Sequence, residues 1–348
     1  MKQGKISIAI VGFGKRGSSH FSAYKKLSQF SVKAVCDERN IFTEKGILYF
    51  KRYQDIANLA GIEAVSICLP NSMHYKVAKY FLERKIHVLV EKPLAIKMSH
   101  INKLYEIASQ NKAILLVGYH LSYEKRVFKI KTLIERRMLG DIVMVRARQS
   151  HNWGGGKPFE WLTHKKQSGG GTIIDNATHY LVLLQYLLGP IKEISAIANN
   201  ILVNSVEDNA IITFKFLNNV IGSIETSWND SCGRVNEIMI WGTKSVLIFS
   251  QKNDTQQFLI KRYTRGNDEW NSMNIELFYQ PRGIEQRLKT TSGTLSDDPL
   301  INLIAHFGNK INDGMQNYKK DLYAEVSVAR LIDSCYKSIK KRKIISII

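Results

Sequence analysis

Apolar residues in the first third of the chain come in short, uninterrupted runs, at 6–11, 32–35, 64–69, 88–90 and 114–117. These runs are rich in Val and Ile. Between them lie amphipathic stretches at 15–29, 73–84 and 99–111. In the last of these, Ile101, Leu104, Tyr105 and Ala108 recur at helical spacing. Continuous apolar strands separated by helices predict a parallel sheet covered on both faces. Residues 1–122 are therefore expected to form a doubly wound α/β domain.

Beyond residue 122 the pattern changes. A helix is predicted over 123–137 and ends at Leu139-Gly140. A strand over 142–149 follows, then a loop rich in Gly and Trp over 151–171, then a helix over 175–188. From 191 to 258, apolar runs alternate with turn residues at 199–200, 218–219, 232–233 and 242–243, the pattern of an antiparallel meander. Helices return over 300–312 and 322–340. Residues 123–348 thus read as one α+β domain.

Composition narrows the class. The chain has 348 residues, more than one ordinary core holds, and its 44% hydrophobic content argues against disorder. No apolar run reaches the roughly 18 residues of a membrane span, so no membrane partner is expected. The first apolar run leads at once into glycines rather than a cleavage site, unlike a signal peptide. Cys36, Cys68, Cys232 and Cys335 are scattered, without metal-ligand or redox spacing. A reducing cytoplasm and no metal are the expectation. The net charge of +20 comes without a zinc-finger or RNP signature, so nucleic acid is not expected as a partner. The charge reads either as a solvated basic surface, helped by Lys340, Lys341, Arg342 and Lys343, or as a field that steers an anionic small molecule.

The first chemical signal is Gly12-Phe13-Gly14-Lys15-Arg16-Gly17, set between a predicted strand and a predicted helix. Such a loop binds a dinucleotide: the first Gly makes the turn, the second admits the pyrophosphate, and the third lets helix and strand pack closely. The helix N-terminus presents free N–H groups to the phosphates. Asp37 ends the second strand. It reads either as a surface turn residue or as the acceptor for both ribose hydroxyls, which favours NAD and repels a 2′-phosphate. Arg39 keeps NADP open as an alternative.

Four further segments extend the pattern: Ile67-Cys68-Leu69-Pro70-Asn71-Ser72-Met73-His74, Val90-Glu91-Lys92-Pro93-Leu94, Gly118-Tyr119-His120, and Gly169 through His179 with Asp175 inside it. With the glycine loop, their order and spacing resemble the glucose–fructose oxidoreductase, inositol dehydrogenase and rhizopine catabolism family (Gfo/Idh/MocA) over residues 5–190. The resemblance implies a Rossmann domain followed by a domain with a large open antiparallel sheet, which relatives use to form homodimers or homotetramers. It implies hydride transfer between a nicotinamide and a hydroxyl or keto group of a sugar, cyclitol or nucleotide sugar. It also implies that Leu69, Pro70, Asn71 and His74 run along the cofactor, with Glu91, Lys92 and the loop Trp161 beside it, and a cis peptide before Pro93. Two positions depart from the family: Val182 stands where an Asp usually follows the motif His, and Leu162 replaces an Arg after Trp161.

Alcohol oxidation needs a base for the hydroxyl proton and a cation for the developing charge. His179 suits the first, Lys92 the second, and Asp175 orients the imidazole or contacts the sugar. Lys92, Asp175 and His179 are thus the candidate catalytic group, expected to meet between the domains. Each has a plainer reading: a solvated lysine, a helix N-cap, a core histidine. His120, His151, Trp153, His164 and Tyr180 are secondary substrate candidates, with Trp153 and Trp161 equally suited to sugar stacking or to loop packing. Two other functions fit the same motifs: glycoside cleavage by transient oxidation and elimination with retained NAD, and a non-catalytic dinucleotide-binding regulator.

Overall fold

The computed structural model describes residues 4–39, 42–152, 160–253, 255–264, 267–273, 295–314 and 318–347. They fall into two units, Met1–Lys125 with Arg282–Val326, and Arg126–Pro281 with Ser327–Ile348. The chain thus returns to its first unit near the end, whereas a single cut after residue 122 follows from the sequence pattern.

In the first unit, β1 (Ile6–Val11), β2 (Phe30–Cys36), β3 (Leu48–Phe50), β4 (Ala64–Ile67), β5 (His87–Val90) and β6 (Leu115–Val117) make a parallel sheet in the order β3-β2-β1-β4-β5-β6. The order reverses between β1 and β4, the point where doubly wound sheets bind ligands at their carboxyl edge. Helices α1 (Lys15–Lys25), α2 (Asn71–Leu82) and α3 (Met98–Gln110) connect the strands. The core joins Ile8, Ile10, Phe21, Tyr24, Leu89 and Leu116 to Leu300, Ile301, Ile304 and Phe307. Those last four belong to a helix at Pro299–Asp313. Its apolar face is buried against β1 and α1 residues nearly 300 positions earlier in the chain, which is why that helix belongs to this unit.

The second unit holds α4 (Lys125–Glu135), β7 (Ile142–Ser150), α5 (Thr178–Leu188) and the strands β8 (Ile191–Asn199), β9 (Asn209–Phe216), β10 (Ile221–Ser227), β11 (Val235–Gly242), β12 (Val246–Lys252), β13 (Thr255–Thr264) and β14 (Asn267–Met273). Following α6, the Pro299–Asp313 helix, come α7 (Tyr318–Lys341) and β15 (Ile345–Ser346). The sheet order is β14-β13-β12-β11-β7-β10-β9-β8-β15. It is mixed rather than a pure antiparallel meander, because β7 inserts between β10 and β11 and runs parallel to β10. One face packs Val145, Ala147, Ile212, Phe214, Ile224 and Ile240 on α5 and α7. The alternate residues, which a strand must point the other way, include Met144, Ile197, Ile211 and Ile221 at 37 to 68% exposure. This second face is open, as the family resemblance implies. Among the described residues no helix is long and apolar enough to cross a membrane.

Candidate active site

At the end of β1 the chain turns through Gly12 at φ +89°, a conformation that Gly adopts without strain. A side chain there would strike the backbone carbonyl of Cys68, so the loop passes tightly over the end of β4. Gly14 precedes α1. The Phe13 ring packs edge-on against Phe21 and Phe42. The backbone N–H of Phe13 donates to Asp37 Oδ2 at 2.7 Å, which fastens the glycine loop to the end of β2. Arg39 donates to the same carboxylate from its backbone and from Nε, each at 3.0 Å. Burial raises the Asp37 pKa, but the Arg39 and Phe13 bonds outweigh it and hold the carboxyl below its ordinary value. The residues fit a dinucleotide: a close backbone turn before a helix N-terminus, and a carboxylate just past the end of β2 that could accept from a ribose.

Leu69 and Pro70 follow β4 and are half-buried, and Asn71 opens α2. His74 does not face outward as a cofactor ligand would. It is fully buried, with Nδ1 2.7 Å from the Pro93 carbonyl and Nε2 2.8 Å from the Leu69 carbonyl. Both ring nitrogens are therefore engaged in holding the loop after β4 to the loop after β5. Lys92 is half-buried just past β5, at the carboxyl edge of the sheet, and the Lys92–Pro93 peptide is cis. Beside it Glu91 is 6% exposed. Its Oε1 accepts from Arg16 Nε at 2.8 Å and lies 2.9 Å from His20 Nε2. Burial works against this carboxylate, yet the His20 hydrogen bond and the Arg16 charge hold it well below the usual carboxylate range. His120 lies 3.4 Å from Arg16 Nη2. Burial and then the Arg16 charge push its imidazole down to about 4.

In the second unit, Gly171 begins the segment that carries the other candidates. A side chain there would meet the Glu207 backbone carbonyl, so only Gly fits. Glu207 Oε1 accepts from the N–H groups of Gly171 at 3.0 Å and Ile173 at 3.1 Å, and from the Tyr336 hydroxyl at 2.9 Å. Burial raises its pKa. Residues Ile173–Ala177 then form a turn of π-helix, which passes into α5 at Thr178. Such wide turns recur at functional sites. Asp175 lies inside this turn and not at a cap; its Oδ2 accepts from Trp228 Nε1 at 3.1 Å. His179, in the first turn of α5, is 6% exposed.

The remaining candidates separate. Tyr180 is 1% exposed in the hydrophobic core of the second unit, so it is a packing residue and not a substrate contact. Trp161 packs on the cluster of Leu162, Val203, Val206 and Trp228. His164 is exposed, its Nδ1 2.7 Å from the Glu160 carbonyl. The half-buried His151 donates its backbone N–H to Ser227 at 3.0 Å. Trp153 lies outside the described residues. Trp228, Glu207 and Tyr336 have no local sequence signal, since each reaches the site segment across the fold. His20 does have one: it stands four residues after Arg16 in α1, on the same helix face.

Residues 6–119 match the model of an oxidoreductase family with an NAD-binding Rossmann fold, and residues 127–248 match the GFO/IDH/MocA C-terminal domain. The chain is 23% identical over 289 residues to levoglucosan dehydrogenase of Pseudarthrobacter phenanthrenivorans, spanning 70% of this chain and 73% of that protein. It is 20% identical over 264 residues to myo-inositol 2-dehydrogenase of Thermotoga maritima, spanning 72% of this chain and 77% of that protein. A solved structure of levoglucosan dehydrogenase in complex with NADH shares the fold, with a TM-score of 0.82, 18% identity and 99% of each chain covered. The glycine loop, the Glu-Lys-Pro turn and the Gly-rich segment leading to His179 therefore stand in a chain that belongs to the Gfo/Idh/MocA family of NAD-binding oxidoreductases.

Proposed function

We propose that this protein transfers a hydride between NAD and a hydroxyl or keto carbon of a sugar, cyclitol or nucleotide sugar, with Lys92, Asp175 and His179 as its acid–base group. The observation that carries the reading is the half-buried Lys92 just past β5, at the carboxyl edge of a sheet whose glycine loop and Asp37 suit a dinucleotide. The similarity to levoglucosan and myo-inositol dehydrogenases supports the substrate class. When bound, NAD supplies the hydride acceptor. Gly12, Gly14, Asp37 and the loop of Leu69, Pro70 and Asn71 hold it. His179 takes the proton of the reacting hydroxyl as the C–H bond breaks. The Lys92 ammonium stabilises the oxygen as it gains negative charge. Asp175 keeps the imidazole or the sugar in register.

The open sheet face suits a second copy of the chain. Ile197 pairs with Ile211 and Ile221 with Met144, and Arg146 makes an ion pair with Glu225 at 3.0 Å on the same face. A homodimer or homotetramer in the cytoplasm is the assembly proposed. The net charge of +20 favours substrates that carry a phosphate or carboxylate.

The test is hydride transfer in single turnover over a panel of neutral and anionic sugars and cyclitols, with NAD binding measured separately. Lys92→Ala and His179→Ala should each lower the rate by about 10²- to 10⁴-fold with little change in cofactor affinity, and their losses should not add. A folded His179→Ala protein with full turnover would remove His179 as the base.

A further inference from the structure

Several groups around the Glu-Lys-Pro turn have no part in the proton transfers above, yet they form one buried cluster. Arg16, in the first turn of α1, donates from both Nε and Nη2 to a single oxygen, Oε1 of Glu91. His20, one turn later and fully buried, reaches the same oxygen through Nε2 at 2.9 Å and Ser66 Oγ through Nδ1 at 2.7 Å. Gly118 makes room for the carboxyl group, since a side chain there would sit 3.3 Å from it. Lys92 follows Glu91 directly in the chain, just past the end of β5, so the backbone that the Glu91 pairing holds is the backbone that carries Lys92.

The members differ in exposure. The Glu91 side chain is 8% exposed and that of Arg16 is 40% exposed. A buried carboxylate is costly to leave unpaired, so Glu91 cannot release Arg16 cheaply. A guanidinium has five N–H donors, and the Arg16 Nη1 group makes no hydrogen bond among the described residues. Arg16 stands two residues past Gly14, in the first turn of α1, the part of a helix that would receive a pyrophosphate.

We propose that Arg16 is shared between Glu91 and the pyrophosphate of the cofactor, and that the Arg16–Glu91 pair positions Lys92, an inference that rests on the acid–base role given to Lys92 above. One prong of the fork is held by the residue next to Lys92, and the other is open to phosphate. The dinucleotide is thereby registered along the sheet edge against the lysine. Arg16 and Glu91 are positioning residues in this scheme.

The test separates affinity from turnover in the full-length protein. NAD affinity is read by calorimetry and by the NAD-induced rise in Tm, and hydride transfer is read in single turnover at saturating NAD. Arg16→Met should weaken NAD binding about tenfold, because a charge-assisted phosphate contact is lost. Arg16→Lys keeps the charge but not the fork, so NAD affinity should stay within about threefold while hydride transfer falls about tenfold. Glu91→Gln should show the same split. Unchanged NAD affinity in Arg16→Met, or full hydride transfer in Arg16→Lys, overturns the proposal. Should Glu91→Gln not fold, the two Arg16 variants still decide it. Lys92→Met is the control: if it keeps full hydride transfer, the role of Lys92 itself fails, whereas a dead Lys92→Met beside a fully active Arg16→Lys defeats only the positioning.

Discussion

The indole Nε1 of Trp228 donates a hydrogen bond to Oδ2 of Asp175 at 3.1 Å. Trp228 is fully buried against Leu162, Val203 and Val206, just past β10, so Asp175 is tied to a residue 53 positions further along the chain. A hydrogen bond to a charged group contributes about 1.5–3 kcal/mol. Trp228→Phe keeps much of the ring and loses the donor. Hydride transfer should fall about tenfold while NAD affinity is unchanged. Equal rates for the variant and the parent, with the fold intact, would show that Asp175 does not depend on this bond.

Arg39 and the Phe13 N–H hold the Asp37 carboxyl below its ordinary value, which suits the proposed role of accepting ribose hydroxyls and repelling a 2′-phosphate. NAD should bind more tightly than NADP. Asp37→Ala should weaken NAD and strengthen NADP, because it also frees the Arg39 guanidinium. Dissociation constants for both cofactors, measured on parent and variant, test this; a parent protein that binds NADP more tightly contradicts it.

Gly171 lies so close to the Glu207 carbonyl that a methyl group there must displace backbone. Gly171→Ala should destabilise the protein by more than about 2 kcal/mol, in the range of overpacked core sites. Gly4→Ala, where the added carbon meets nothing, should be neutral. Urea unfolding of the two variants gives the comparison, and equal midpoints would contradict the crowding argument.

Burial holds the His120 and His306 imidazoles at about 4, down from 6.5. Between those values the unfolded chain takes up protons that the folded protein does not, so stability rises with pH across this window. On acidification the protein should lose stability from pH 6.5 to about 4. Glu91 and Asp37, whose carboxyls are held low, add a further loss as pH falls through their folded-state values. His306→Gln should flatten the first part of the curve. Denaturation midpoints measured across that range would refute the assignment if the variant follows the parent at every pH.

The local pattern carried much of this fold. The runs at 6–11, 64–69 and 88–90 are β1, β4 and β5, and the glycine loop marks the turn into α1, because strand burial, helix periodicity and a tight turn are all short-range constraints. Lys92, Asp175 and His179 were legible as a candidate group from short motifs. Their surroundings were not. The Glu207 carboxylate on Gly171, Trp228 on Asp175, Arg16 and His20 on Glu91, and the contact of His74 with the Pro93 carbonyl all join residues from separate segments of the chain. The same holds for the parallel pairing of β7 with β10 and for the return of α6 to the first core. Pairing partners and buried hydrogen bonds are settled by which surfaces exclude water together and which polar groups must then be satisfied, and only the tertiary structure decides that.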